Sequence, residues 1–141
     1  MRSTVLALSA LPLALIAALP GCPAEEEPPT CTTPPPASCA PLYEPTFTQI
    51  FTRTLQPSCG LSGSSCHADD GRQGGLVFVR EQESYDLLVA KGKVRPGDPS
   101  CSDLMVRLLS SDPFARMPPG KALDPGAQCA IRLWIEAGAK R

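Results

Sequence analysis

The chain has 141 residues, a length typical of one domain, and its formal net charge is −1. This near-neutral charge excludes a polybasic nucleic-acid-binding protein. Two residue types are unusually frequent, with 17 prolines and 7 cysteines. Because seven is odd, at least one cysteine lies outside any intramolecular disulfide. The single histidine, His67, excludes multi-histidine metal sites and mechanisms that need two imidazoles.

Residues 1–21 have the pattern of a bacterial signal peptide. Arg2 supplies a positive charge, and the apolar stretch 5–19 is too short and too interrupted by proline for a membrane-spanning helix. The sequence LPGC at 19–22 resembles the lipobox of bacterial lipoproteins. We therefore expect Cys22 to be lipidated and to anchor the chain to a membrane, facing the periplasm or the cell surface. Cys22 is followed by Pro23 rather than by aspartate, which favours sorting to the outer membrane. The alternative is an ordinary secretory signal with Cys22 unmodified.

Residues 22–45 are predicted to form a lipid-anchored, proline-rich linker. This composition favours an extended polyproline conformation and provides too few large apolar groups for a core. Cys31 and Cys39 lie in the linker with seven residues between them. The simplest pairing is a local Cys31–Cys39 disulfide, although either could be a free thiol or pair with another chain.

Residues 46–141 are predicted to form a small all-α domain of about four helices with long loops. Apolar spacing indicates a first helix that ends at Pro57 and a second helix near 81–91. The third helix is expected to begin with Ser100 as its N-cap, and the fourth with Asp124 as its N-cap followed by proline.

Two long loops, 57–80 and 110–124, exceed what a helical bundle needs, which often indicates a function or a bound group. Within the first loop, the segment 76–79 has the pattern of a short strand. Cys101 and Cys129 are predicted to open the third and fourth helices. They are expected to form a structural disulfide between the two helix starts.

The two long loops carry the residues with the clearest chemistry. Cys59 and then Cys66-His67 lie in the first loop, and Met117 lies in the second. A cysteine directly followed by histidine, just after a helix, is typical of c-type haem attachment, in which thiols bond to the haem and the histidine binds the iron. A methionine in a proline-bounded loop is a common sixth ligand. The sequence thus predicts one haem c held by these four residues, with Met105 a poorer ligand because it lies on a core face.

The spacing of the two cysteines leaves alternatives open. Six residues separate Cys59 from Cys66, whereas most c-type sites have two. A Cys59–Cys66 disulfide with His67 at the surface is one alternative, and haem attachment through Cys66 alone is another. A zinc site would need a fourth ligand, for which the other thiols are poorly spaced. Under the disulfide alternative, the protein is a haem-free lipoprotein module, stapled by three disulfides, with a structural or binding role.

The order of several short motifs resembles the small planctomycete-type cytochrome c domains found in bacterial lipoproteins. In chain order, the motifs are Cys59…Cys66-His67, Gly74-Gly75-Leu76, Tyr85…Leu88-Val89, Val94…Pro99, Ser102…Leu104, Met117-Pro118-Pro119-Gly120 and Trp134…Ala139. The resemblance covers nearly all of 46–141. It implies an all-α fold in which the first and last helices cross and the loops wrap the haem.

The resemblance also implies a membrane-tethered electron carrier rather than an enzyme. Such a protein would exchange single electrons with periplasmic or membrane redox proteins by transient docking. No general acid and base pair stands out in the sequence. Arg95 is a candidate partner of a haem propionate, with a surface salt bridge as the alternative.

Overall fold

A computed structural model describes residues 30–60 and 65–141. Its α helices are α1 (Phe47–Ile50), α2 (Glu81–Ala90), α3 (Asp103–Leu109) and α4 (Pro125–Glu136). The described residues contain no strand, so the predicted all-α fold is confirmed. None of the helices in this part of the chain is long and apolar enough to cross a membrane. The predicted signal peptide and Cys22 lie outside the described residues.

The first helical segment continues past the proline that was predicted to end it. Thr46 caps α1, and its side chain accepts a hydrogen bond from the Gln49 N–H. The chain then continues as a π-helical stretch, Phe51–Gly60, which contains Pro57. Proline disrupts an α helix because its ring collides with the carbonyl four residues back. The wider π-helical turn changes which carbonyl faces the ring, so the helical stretch extends far enough to include Cys59.

Two other predicted elements differ in the structure. The N-cap of α3 is Ser102 rather than Ser100. The Ser102 hydroxyl donates to the Asp98 carbonyl and accepts from the Arg95 N–H, so the residues before it form a turn instead of a helix. The segment 76–79, predicted to be a strand, is a largely buried loop with no partner strand in the described part of the chain.

Helix α4 begins where the sequence predicts. The Asp124 side chain accepts hydrogen bonds from the backbone N–H groups of Gly126 and Ala127, and Pro125 occupies the first helical position. After the last turn, Gly138 has a φ of +97°, a left-handed conformation that glycine adopts without steric cost.

The core lies where α1 packs against α4. The Phe47 ring lies 5.3 Å from the Trp134 ring and 5.1 Å from the Tyr85 ring, measured between centroids. Helix α3 also contacts α4, and Met105 of α3 is fully buried in this core. This burial agrees with the expectation that Met105 is a packing residue.

Two disulfides join the proline-rich segment to α4 and to the turn before α3, where Cys101 lies instead of opening the helix as predicted. The bonds are Cys31–Cys101 and Cys39–Cys129, so the four cysteines predicted to form disulfides do so. The predicted pairings, Cys31–Cys39 and Cys101–Cys129, are wrong. A polyproline-like chain rises about 3.1 Å per residue, so the proline-rich stretch favours separations of up to roughly 25 Å between Cys31 and Cys39. A disulfide needs Cα atoms within about 7 Å of each other.

Backbone hydrogen bonds attach the same segment to the helices. The Thr32 N–H donates to the Ser100 carbonyl, and the Leu42 N–H donates to the Gly126 carbonyl, each at 2.9 Å. Tyr43 is buried in the core. The described part of the predicted linker is therefore held against the domain by covalent, polar and apolar contacts.

Candidate cofactor site

The His67 side chain is positioned by the buried loop before α2. His67 ends a short 3-10 turn, Ser65–His67, and its carbonyl accepts a hydrogen bond from the Phe78 N–H at 2.8 Å. The His67 and Phe78 rings lie 4.9 Å apart between centroids. The loop thus holds both the backbone and the ring of His67.

The His67 imidazole is available as a metal ligand. Its Nδ1 atom is buried and has no hydrogen-bond partner among the described residues. Burial lowers the pKa of His67. Hydrogen bonds with the backbone of Leu76 and Gln73 raise this pKa, but by less. The ring is therefore neutral at pH 7, which is the form that binds a metal.

Cys59 and Cys66 are free thiols, each partly buried. The disulfide between them, considered as an alternative, is not formed in the structure. Burial, and then the proximity of Cys66, raise the pKa of Cys59 to about 11. The π-helical stretch that carries Cys59 contacts the 3-10 turn that carries Cys66 and His67, so the two predicted attachment residues lie in neighbouring elements.

Phe78 contacts the residue that follows each of the two cysteines. Gly60, which follows Cys59, lies so close to Phe78 that a Cβ added to it would be 2.2 Å from the Phe78 carbonyl oxygen. At the other end of the interval, His67, which follows Cys66, is hydrogen bonded to Phe78 and packed against its ring. Both ends of the interval therefore converge on one residue.

Replacing Gly60 with alanine is expected to lower the free energy of unfolding by about 1–3 kcal/mol, as for other overpacked sites. The added Cβ would collide with Phe78 backbone atoms, which cannot rotate away as a side chain can. Denaturant unfolding of the variant and the unsubstituted protein measures this difference. Equal stability of the two proteins would contradict the close approach of Gly60 to Phe78.

Met117 is held in place by contacts of its own loop. The Met117 N–H donates to the Arg107 carbonyl of α3 at 2.9 Å, and the bond from Met117 to Pro118 is a cis peptide. The neighbouring Arg116 guanidinium donates to the Gly120 carbonyl, which closes the loop on itself. The half-buried Met117 side chain is thereby positioned next to α3.

One cavity of about 240 Å³ has both His67 and Met117 in its wall. The apolar side chains of Leu76, Phe78 and Leu88 also line this cavity. A mostly apolar cavity with a few polar groups is typical of cofactor sites. The structure thus brings together the two residues predicted to be axial ligands, which lie 50 positions apart in the sequence.

The charged part of the cavity wall differs from the sequence prediction. Arg95, the candidate propionate partner, is exposed and does not line the cavity. Lys93, Asp103 and Arg107 line it instead. The only sequence signal for this set is the four-residue spacing of Asp103 and Arg107, which places them on one side of a helix.

These residues fit a haem better than a metal ion bound by protein alone. No group of three or more His, Cys, Asp or Glu side chains that could hold a metal ion occurs among the described residues. A haem iron is already bound by the porphyrin and takes only axial ligands from the protein. His67 and Met117 both line the cavity and satisfy that smaller requirement. Cys59 and Cys66 are free thiols that are not part of the cavity wall, although Cys66 directly precedes His67 in the chain.

Comparison with known proteins supports the same interpretation. Residues 64–121 match a family model described as Planctomycete cytochrome C. The matched stretch includes Cys66, His67 and Met117, whereas Cys59 precedes it. No curated protein and no solved structure is significantly similar to the chain. The match over 64–121 and the all-α fold together support a planctomycete-type cytochrome c-like domain in this chain.

Proposed function

We propose that the protein is an electron-transfer lipoprotein that binds one c-type haem, with His67 and Met117 as axial ligands. The cavity whose wall contains both side chains is the observation that carries this proposal. The free thiols of Cys59 and Cys66 lie beside His67 and are the proposed attachment points. The haem supplies a one-electron iron couple when bound.

Residues of this chain would attach the haem and set the reduction potential of its iron. Each thiol would add across one vinyl group, so that a C–S bond forms and the thiol proton goes to the other vinyl carbon. This addition needs no oxidant or reductant. The neutral His67 ring offers a nitrogen lone pair, and the Met117 thioether raises the reduction potential because it favours ferrous iron.

The proposed role is that of a carrier rather than an enzyme. Cavities that enclose drug-sized ligands measure about 300–1,000 Å³, so the cavity here would leave one edge of a haem exposed. An exposed edge favours electron exchange with periplasmic or membrane redox proteins during brief contacts. Lipidation at Cys22 would keep the carrier on a membrane, with the outer membrane favoured, facing the periplasm or the cell surface.

The test is to express the protein with a c-type haem attachment system. We expect a Soret absorption band and a haem mass on the tryptic peptide 54–72. The double variant Cys59→Ser/Cys66→Ser should lose the covalent haem, whereas the single variants show whether one or two thioether bonds form. An unsubstituted protein without a Soret band, and with peptide 54–72 unmodified, would rule out the proposed function.

A further inference from the structure

One wall of the cavity that contains His67 and Met117 carries three charged side chains. The Lys93 Nζ donates to the Asp103 Oδ2 at 2.7 Å. The Arg107 Nε lies 3.5 Å from the Asp103 Oδ1. Asp103 is 7% exposed, whereas the Lys93 and Arg107 side chains are 24% and 36% exposed, so the carboxylate is buried beneath the two cations. Among the described residues, this wall therefore carries two cationic side chains and one carboxylate.

The same wall can accept another anionic group. A lysine ammonium has three N–H donors, and Lys93 gives one to Asp103. A carboxylate that enters the cavity could accept a charge-assisted hydrogen bond from another of these N–H groups.

The rest of the cavity limits which carboxylate fits. Leu76, Phe78 and Leu88 line it with apolar surface, so a small hydrated anion would gain little there. A ligand with a flat apolar body and a carboxylate arm can use both the apolar surface and the cations.

We propose that Lys93 and Arg107 bind a propionate carboxylate of the haem, and that Asp103 positions the two cations. This inference rests on the proposed function and adds the residues that orient the haem. Lys93 and Arg107 take the propionate-binding role that was predicted for Arg95, which is exposed in the structure. The apolar face of the haem would lie against the leucine and phenylalanine side chains of the cavity.

Carbodiimide cross-linking of the haem-loaded protein tests this contact directly. The reagent activates a carboxyl group, a neighbouring amine then forms an amide with it, and the reagent takes up the water as a urea. We expect Lys93 to become linked to the haem. After reduction and trypsin digestion, the haem peptide 54–72 would then be joined to peptide 92–107, because a modified Lys93 is not cleaved. Fragment masses distinguish a link through a haem propionate from one through Asp69 or Asp70 of peptide 54–72. A link through the exposed Lys91 would instead join the haem peptide 54–72 to peptide 81–93.

Three variants test which residues determine the yield of this cross-link. Lys93→Met should abolish the link, and Lys91→Met, the matched control, should leave its yield unchanged. Asp103→Asn weakens the contacts that position Lys93 and Arg107 and should lower the yield. A haem-bearing peptide 54–72 that is not joined to 92–107, including the case in which Lys93 links only to Asp103, would overturn the inference and leave the proposed function intact. A peptide 54–72 without haem would overturn both.

Discussion

Replacing Met117 with leucine is expected to lower the reduction potential of the haem-loaded protein by on the order of 0.1 V or more, within the roughly 0.8 V range that axial ligands span. The thioether sulfur favours ferrous iron, whereas leucine has no atom that can bind the metal. Leucine has a similar volume, so the packing of the loop is preserved. The variant should also lose the sulfur-to-iron charge-transfer band of ferric haem. Potentiometric titration followed by absorbance measures both effects.

Met105→Leu is the matched control for this prediction, because it makes the same substitution at a fully buried core position. Met105 does not line the cavity, so the potential and the charge-transfer band should stay unchanged. The free energy of unfolding should fall by less than about 1.5 kcal/mol, as for other volume-conserving core substitutions. If Met105→Leu lowers the potential and Met117→Leu does not, Met117 is not the sixth ligand.

Local signals in the sequence predicted the elements whose boundaries depend on neighbouring residues. The start of α4 follows from Asp124 and Pro125, because capping involves backbone groups only two or three positions away. The Cys66-His67 motif and the proline-bounded Met117 are likewise readable from short stretches. The cavity that contains both His67 and Met117 agrees with these signals.

Contacts between distant segments could not be predicted in the same way. Nothing in the sequence near Gly60 shows that its backbone lies against Phe78, yet this approach determines where the chain lies directly after Cys59. The π-helical turn around Pro57 depends similarly on packing rather than on local propensity. Cysteine pairing is the clearest case, because Cys31 joins a residue 70 positions away instead of its nearest neighbour.

Removing the Cys39–Cys129 bond with alanine at both positions is expected to lower the free energy of unfolding by about 4 kcal/mol. The two residues are 90 positions apart, so the bond restricts a long loop in the unfolded chain. The proline-rich segment would also lose one of its two covalent attachments. Denaturant unfolding without reductant measures the loss. The matched control is alanine at both Cys31 and Cys101, which opens the other long-range bond and should cost a similar amount.

Peptide mapping without reduction checks the pairing itself. Trypsin cannot separate Cys31 from Cys39, because no lysine or arginine lies between them. With the pairing in the structure, the peptide that ends at Arg53 is joined to both 94–107 and 122–132, and the three leave the digest as one complex. With local pairing, that peptide would carry an internal disulfide, and 94–107 would be joined to 122–132 alone. The Cys39–Cys129 alanine variant adds a second check, since only the 122–132 peptide should leave the complex.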